Sequence, residues 1–390
     1  NSYSYTDNIK KQLDSTKAEK DEIYREIRIL NSHIADINEV KAVDLKTLQK
    51  ALTNKEIMLS YINTDDNFYV FLITNNSLKC IKLDDYQYNI IFILPQYRNE
   101  LQYNGLDPSA NSKKLYKTLI QPVKNIIANY EHVIIIPYEH LFYIPFEALI
   151  NPGTNNYLID EFNGYISYNI SATVYNNLKN KKPRVYAKDY LGIGDPYYPN
   201  PDMRLHFTEK ELVEVYNLFD KNRSDLFIKT ESTENNVKRI DLSQYKYLHF
   251  SCHGLNYGES GTKYLSFPAL CLIADENGTE DGYLRQDEIS SLNCRSKLVL
   301  LSACQTGVGK VVKGDGLVGL NQAFFIAGAD SVISSLWSVS DKHTKDLIVD
   351  FYKNLKSGMN YSASLKKAMI ETRRIAKREW GQTHPFFWAP

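Results

Sequence analysis

Two stretches of the sequence decide the fold: Tyr247-Leu-His-Phe-Ser-Cys-His-Gly254 and Leu298-Val-Leu-Leu-Ser-Ala-Cys-Gln-Thr-Gly307. Each begins as a short apolar run typical of a buried strand; the first ends in a histidine followed by glycine and the second in a cysteine. Loops at the carboxyl ends of parallel strands leave a crevice where α/β sheets bind ligands. We therefore expect His253 and Cys304 to meet at one edge of a parallel sheet.

This pair of residue types suits acyl transfer. A thiolate is the nucleophile, and an imidazole within hydrogen-bond reach takes the thiol proton and later protonates the leaving amine. His253 and Cys304 are thus the candidate catalytic dyad. Gly254 has no side chain in the way, so its N–H is expected to join that of Cys304 in an oxyanion hole, where one donor is typically worth ~3 kcal/mol.

The neighbouring residues have plainer interpretations. A lone cysteine that closes an apolar strand is more often a small core residue, so Cys304 depends on His253 for its catalytic interpretation. Adjacent residues of a strand point to opposite faces, and Cys252 is therefore expected to face the core. His249 and His384 are expected to be structural. A metal site from Cys252, His253 and Cys304 lacks a fourth ligand, and we expect no metal or cofactor.

Composition and charge exclude several classes of protein. The 390 residues contain 43% hydrophobic and 24% charged residues, which is typical of two to three globular domains. Lys+Arg and Asp+Glu both total 46, so no basic field favours nucleic acid. No apolar run is long enough to span a membrane, and five cysteines without a C-x-x-C pair indicate a reducing compartment. We expect a cytoplasmic protein. The start at Asn1 leaves open whether upstream residues are missing.

The chain divides into three stretches. Residues 1–54 are expected to form a helical lead-in, because apolar residues recur with 4-3 spacing from Ile9 to Ile37 and Asp44 suits the N-cap of a second, short helix. Its apolar stripe packs on the chain's own body or docks a helical or repeat-protein regulator. Residues 55–183 and 184–390 each predict an α/β unit, divided at the basic, proline-ended segment 179–183.

Short apolar runs predict strands and amphipathic patterns predict helices in both units. Three runs at 57–62, 68–74 and 78–83 predict an antiparallel meander. The other predicted strands are 132–136, 190–193, 226–229, 247–251, 269–273, 298–302 and 331–335. The predicted helices are 87–102, 110–129, one from Thr208 with a capping box completed by Glu211, 316–327 with Asp315 as N-cap, 342–356 and 362–378.

A series of motifs resembles the CHAT family of caspase-like cysteine proteases. Cys304 follows His253 by about the 50 residues that separate the two in caspases. The resembling motifs are Ser251-Cys-His-Gly254, Leu301-Ser-Ala-Cys-Gln-Thr-Gly307, Asp315-Gly-Leu-Val-Gly-Leu320, Ala327-Gly-Ala-Asp330, Leu336-Trp-Ser-Val-Ser-Asp341, His384-Pro-Phe-Phe-Trp388, Ile136-Pro-Tyr-Glu-His-Leu-Phe-Tyr-Ile-Pro-Phe-Glu-Ala-Leu149 and Gly194-Asp-Pro196. Together they cover about residues 50–390.

The resemblance implies a caspase-like α/β fold related to separase, with a degenerate first unit before the active one. The family's catalytic histidine and cysteine map onto His253 and Cys304. His140 in the first unit is followed by no cysteine in a matching context, which agrees with a silent first half. Caspases carry Gln where this chain has Ser302, a candidate substrate-binding residue, so their preference for cleavage after Asp does not transfer.

Asp341 is the first candidate for a substrate-binding carboxylate. The similar Leu-Trp-x-Val-x-Asp segment of separases suggests that it pairs a substrate Arg or Lys; its alternative role is the N-cap of the following helix. Asp315 is the second candidate. Two functions follow as hypotheses: an endopeptidase that cleaves a specific protein after a basic residue under control of a partner or signal, or a catalytically silent interaction and signalling module of the same fold.

Overall fold

The computed structural model is an α/β protein with two five-stranded sheets. The described residues are 42–64, 67–84, 88–198, 204–255, 268–275, 277–303, 310–312, 316–337, 341–381 and 383–389. The predicted amphipathic helix between Ile9 and Ile37 lies outside them, as do Cys304 and Asp315. No helix within these ranges has both the length and the hydrophobicity that a bilayer span requires.

The first sheet contains the meander that the sequence predicted. Its strands are β1 (Glu56–Asn63), β2 (Phe68–Ile73), β3 (Leu78–Leu83), β4 (His132–Ile136) and β5 (Tyr165–Tyr168), in the spatial order β3-β2-β1-β4-β5. Strands β1 to β3 form the antiparallel meander, and β4 runs parallel to both β1 and β5. These pairings confirm the predicted meander. It forms because turn-forming residues separate the alternating apolar runs.

Six helices lie among the described residues before the second sheet. They are α1 (Leu45–Ala51), α2 (Leu94–Gln102), α3 (Ser109–Leu119), α4 (Lys124–Ile127), α5 (Leu158–Glu161) and α6 (Ala172–Lys179), with a π-helical turn at Asn89–Ile93 before α2. Asp44 caps α1 as predicted, because its carboxylate accepts a hydrogen bond from Thr47 N at 3.0 Å. The single helix predicted at 110–129 is wrong: it breaks around Pro122, which has no N–H to continue a helix.

The second sheet is parallel throughout. Its strands are β6 (Lys188–Pro196), β7 (Ser224–Lys229), β8 (Tyr245–Ser251), β12 (Leu298–Ser302) and β15 (Val332–Ser334), in the spatial order β15-β12-β8-β6-β7. A small antiparallel sheet contains β9 (His253–Leu255), β10 (Ala269–Cys271) and β11 (Tyr283–Arg285), and a hairpin contains β13 (Lys310–Val312) and β14 (Gly316–Val318). The helices are α7 (Thr208–Tyr216), α8 (Glu234–Arg239), α9 (Gln286–Ser291), α10 (Leu320–Ile326), α11 (Asp341–Lys356) and α12 (Tyr361–Trp380).

Two sequence-based predictions are wrong between residues 184 and 390. Glu211 does not complete a capping box at the start of α7, because its carboxylate turns inward to the second sheet. The predicted helix at 316–327 begins only at Leu320, with Gly319 rather than Asp315 at its N-cap position, since Gly316–Val318 pairs with β13 instead. At Glu211 a tertiary contact overrides the local sequence pattern, and at Gly316–Val318 a local hairpin does so.

Both faces of the second sheet are buried. Along β8, Tyr247 enters an apolar cluster that also contains Ile57 of the first sheet, whereas Leu248 and Phe250 enter a separate cluster on the other face. Burial on both faces explains why β8 and β12 read as nearly continuous apolar runs. The predicted burial of Cys252 is confirmed, because its side chain belongs to the second cluster and is fully inaccessible.

Helix α12 connects the end of the chain to the first sheet. The Lys366 ammonium donates to the carbonyl oxygen of Gly164 at 2.7 Å and to that of Phe162, and the Arg373 guanidinium pairs with Asp160. A buried ion-pair cluster lies elsewhere on the same sheet, where Glu56 accepts from His132 Nδ1 at 3.1 Å and from Lys179 Nζ at 2.9 Å.

Candidate active site

The carboxyl ends of β8 and β12 lie side by side. The two strands are parallel neighbours, and the last residue of each, Ser251 and Ser302, are partners in the register. Neighbouring strands are about 4.8 Å apart, so chain segments leaving them start at the same edge. His253 follows Ser251 by two residues, as Cys304 follows Ser302. Cys304 itself lies outside the described residues.

The residue before Cys304 is fixed by a hydrogen bond from the neighbouring strand. Ser335, directly after β15, donates from Oγ to the carbonyl oxygen of Ala303 at 2.7 Å, and both residues are buried. Ser302, the predicted substrate-binding residue, ends β12 and is half-buried. The chain therefore leaves β12 from a defined position.

His253 opens β9 and is half-buried. Strand β9 pairs with β10, with His253 opposite Cys271 and Gly254 opposite Leu270. The imidazole contacts the ring of Tyr198, with ring centroids 5.3 Å apart and planes inclined by 48°. His253 and Gly254 thus lie next to the end of β8, at the edge where the sequence predicted them.

A buried polar network surrounds His249 and Ser251 on β8, just before His253 in the sequence. The Glu211 carboxylate of α7 accepts from Ser251 Oγ at 2.8 Å and lies 3.0 Å from His249 Nε2. The other ring nitrogen of His249 lies 2.9 Å from the hydroxyl of Tyr190. His249 is fully buried, so the prediction that it is a structural, hydrogen-bonded histidine is confirmed. The network ties α7 to the end of the strand that leads into the candidate site.

Asp341 lies at the start of α11 and is half-buried. Its Oδ2 accepts a hydrogen bond from the backbone N of Phe207 at 2.8 Å, just before α7. Burial raises the pKa of Asp341, and the Phe207 N–H partly opposes this shift. The carboxylate thus joins the starts of two helices, while Asp315, the other predicted carboxylate, lies outside the described residues.

A further carboxylate, Asp195, was missed by the sequence analysis. Asp195 lies near the end of β6, next to β8, is 5% exposed, and has a left-handed backbone with φ of 43°. Its Oδ1 lies 3.3 Å from Thr208 Oγ1 and 3.9 Å from Arg204 Nε. Burial raises the pKa of Asp195, with Arg204 opposing the rise. A buried acid in a strained conformation is a feature of functional sites, and the signal was Gly194-Asp-Pro196 at a strand end.

The remaining candidate residues have structural surroundings. His384 accepts a hydrogen bond at Nδ1 from Phe386 N at 3.1 Å, in line with its predicted structural role. The described residues contain one cluster of three carboxylates with the spacing to hold a metal ion, made up of Glu234, Glu280 and Glu288. The Lys238 ammonium lies 2.7 Å from both Glu234 and Glu288, so a cation of the chain itself already pairs with this group.

Comparison with known proteins identifies the family of this chain and two relatives that are similar over short segments. The model of the CHAT domain family matches residues 109–390. Two relatives named tetratricopeptide repeat protein 28 are similar over short segments. The mouse (Mus musculus) protein is 37% identical over 102 residues, and the human (Homo sapiens) protein is 33% identical over 117 residues. These segments are 26% and 30% of this chain but 4% of each relative's length.

Solved structures give the fold. The Saccharomyces cerevisiae separase–securin complex has a TM-score of 0.51 at 11% identity, with 89% of this chain and 30% of that chain covered. The Arg-specific cysteine proteinase gingipain R has a TM-score of 0.45 at 12% identity, with 79% and 74% covered. The likeness to the separase chain confirms the caspase-like α/β fold predicted from the sequence.

Proposed function

This chain belongs to the CHAT domain family, and from that premise we propose that it is a cysteine endopeptidase with a dyad of His253 and Cys304. The supporting observation is the register of β8 and β12, in which Ser251 pairs with Ser302. Each proposed catalytic residue follows its paired serine by two positions. The chain is divided in this proposal into a lead-in at 1–54, a degenerate unit at 55–183 and an active unit at 184–390.

In the proposed mechanism His253 removes the proton from the Cys304 thiol, and the thiolate attacks the scissile carbonyl carbon. The N–H groups of Gly254 and Cys304 stabilise the oxyanion. His253 then gives the proton to the leaving amine as the C–N bond breaks, which leaves a thioester on Cys304. A water, deprotonated by His253, hydrolyses the thioester and restores the thiol.

We propose cleavage after Arg or Lys, with one of the acidic residues at this edge as the partner of the substrate cation. Asp195 and Asp341 are buried and half-buried carboxylates beside α7, and Asp315 and Ser302 remain candidates from the sequence. Arg204 Nε lies 3.9 Å from Asp195 Oδ1, so a substrate cation at Asp195 would compete with this guanidinium. A carboxylate there favours a cation through charge-assisted hydrogen bonds and disfavours an acidic or apolar side chain.

The dyad is tested by alkylation with iodoacetamide and mass spectrometry of each cysteine. Burial raises the pKa of Cys271 to about 12 and of Cys294 to about 11, and Cys252 is fully buried, so these three thiols should label slowly. Exposed Cys80 is the internal control. We expect Cys304 to label faster than Cys80.

The two dyad variants complete this test. His253→Ala should slow the labelling of Cys304 and leave Cys80 unchanged. Cys304→Ala and His253→Ala should each abolish peptide cleavage, and the double variant should lose little more, because members of a dyad act as one unit. Equal labelling of all five cysteines would refute the proposal and favour a silent interaction module. An active Cys304→Ala protein would refute the assignment of Cys304 as the nucleophile.

Specificity is tested with peptides that differ in the residue before the cleaved bond. Removal of the true partner, by Asp195→Ala or Asp341→Ala, should cost cleavage after Arg about 2–5 kcal/mol in transition-state terms, while Cys304 keeps its reactivity toward iodoacetamide. Preference of the wild type for Asp or an apolar residue would contradict the charge argument whichever carboxylate is chosen.

We further propose a protein substrate and a helical or tetratricopeptide-repeat regulator that binds the apolar stripe from Ile9 to Ile37. The names of the two curated relatives support a connection with such repeats. A reducing, cytoplasmic setting is part of the proposal, because Cys304 must stay a thiol to act as the nucleophile. Replacing Ile23 and Ile27 by Asp should abolish regulation by such a partner and leave alkylation of Cys304 unchanged.

A further inference from the structure

Tyr198 connects the end of β6 to His253. Its hydroxyl donates to the carbonyl oxygen of Cys271 at 3.0 Å and accepts from the backbone N of His253 at 3.4 Å. Its ring is the one that contacts the imidazole, at 5.3 Å between centroids. One side chain therefore touches both the backbone and the ring of the proposed base.

The position of these contacts gives them a consequence. His253 and Cys271 form the last register pair of β9 and β10, so the Tyr198 hydroxyl links the two strands where their pairing ends. Strand β9 contains only three residues. The Tyr198 bridge adds a hydrogen bond and a ring contact at the first residue of this short strand. Burial raises the pKa of Tyr198, which keeps the hydroxyl protonated and able to donate.

A general base works only when its ring nitrogen points at the proton it removes, and in known sites a third group orients the base. We propose that Tyr198 is this positioning residue: its hydroxyl holds the backbone of His253 and its ring limits the rotation of the imidazole. Tyr198 touches no substrate in this role. The inference rests on the proposed function, because it assigns Tyr198 to the same dyad.

The chain offers a matched control in the adjacent residue. Tyr197 is 72% exposed and follows β6 directly, so it has the same residue type and nearly the same place in the sequence. Tyr198→Leu removes the ring and the hydroxyl, Tyr198→Phe removes the hydroxyl alone, and Tyr197→Leu removes an exposed ring. Thermal unfolding first establishes which variants are folded.

The first measurement is the kinetics of peptide cleavage. Tyr198→Leu should lower kcat on the order of 10- to 100-fold with KM nearly unchanged, as expected when a catalytic group is misplaced by a fraction of an ångström to one ångström. Tyr198→Phe should lie between Tyr198→Leu and the wild type, and Tyr197→Leu should match the wild type. Where Tyr198→Leu fails to fold, Tyr198→Phe carries the test with an expected loss of about fivefold.

The second measurement needs no substrate. Histidine labelled with carbon-13 at Cε1 gives one NMR signal for each of the eight histidines, and His253→Gln assigns the signal of His253. Loss of the hydroxyl in Tyr198→Phe should move that signal although the ring is kept, while Tyr197→Leu should leave the signal in place. Because Tyr198→Phe keeps the aromatic ring and its ring current, a displaced signal in this folded variant reports a change in the position of the imidazole.

The outcomes separate this inference from the proposed function. If the wild type is active and the folded Tyr198→Leu protein has the same kcat, the inference alone is overturned. A His253 signal that does not move also overturns the inference alone. The proposed function itself is refuted if the wild type cleaves no peptide and if alkylation of Cys304 does not depend on His253. A fall in kcat together with a displaced His253 signal supports the assignment of Tyr198.

Discussion

Replacement of Glu211 by alanine removes the centre of the buried network beneath the candidate site. The carboxylate is 2% exposed and holds Ser251 Oγ at 2.8 Å and His249 Nε2 at 3.0 Å. Both partners are fully buried, so water cannot replace the lost oxygen atoms without rearrangement. In Glu211→Ala, two polar groups on β8 are therefore left without their partner.

The size of the effect follows from these two groups. A buried polar group that loses its hydrogen-bond partner costs about 1–3 kcal/mol, so the two together should lower the free energy of unfolding by about 2–6 kcal/mol. Glu209 provides the control in the same helix, because its carboxylate is one-third exposed and pairs with Lys229 at the surface. Glu209→Ala should cost about 0–1 kcal/mol.

The assay is urea unfolding at pH 7, followed by tryptophan fluorescence, with the midpoints of wild type and both variants compared at equal slope. Glu211→Ala should have the lower midpoint by a wide margin. The reasoning is refuted if the two variants are equally stable, or if Glu209→Ala is the less stable one, since burial of the network would then have no energetic consequence.

Two further predictions concern acid stability and strand spacing. Burial raises the pKa of Glu56, but hydrogen bonds from His132 and Lys179 outweigh it and hold the pKa far below its ordinary value. Glu56 therefore stabilises the fold fully above the ordinary carboxyl range and loses this contribution as the pH falls through the folded pKa, so thermal melts of Glu56→Gln should differ most from wild type near neutral pH. In Gly194→Ala, the new methyl group would overlap the Ser251 carbonyl oxygen, so β6 and β8 must separate and both stability and Cys304 labelling should fall.

Controls for both predictions come from the same chain. Glu131 forms a solvent-exposed pair with Lys55, and Glu131→Gln should leave the pH dependence of melting unchanged. A methyl group added at Gly105 would meet no atom within 4 Å, so Gly105→Ala should be stable. A gap between Glu56→Gln and wild type that widens toward low pH would contradict the first prediction, and equal stability of the two alanine variants would contradict the second.

The strands that define the site could be predicted because their sequence pattern is local. Strands β8 and β12 are apolar runs buried on two faces, and chemically active residues follow both. The sequence also predicted that Cys252 would be buried and that His249 would be a buried, hydrogen-bonded residue. These predictions needed only the alternation of side chains along a strand.

The contacts that shape the site could not be predicted because they join distant parts of the chain. Glu211 has the spacing of a capping box after Thr208, yet a histidine on another element takes its carboxylate. Tyr198 reaches His253 across 55 residues, and nothing in the sequence around it differs from an ordinary loop. The strain at Asp195 is likewise visible only in its backbone angle.

The docking of α12 on the first sheet has a consequence for synthesis on the ribosome. Lys366 reaches back 202 residues to the carbonyl oxygen of Gly164, and Met369 belongs to the same apolar cluster as Ile57. At translation rates of about 5–20 residues per second, roughly 10–40 s pass between the emergence of the two partners. During that interval the nascent first half keeps an apolar surface uncovered. Chaperone binding should therefore concentrate on this nascent intermediate, and release should follow the arrival of α12.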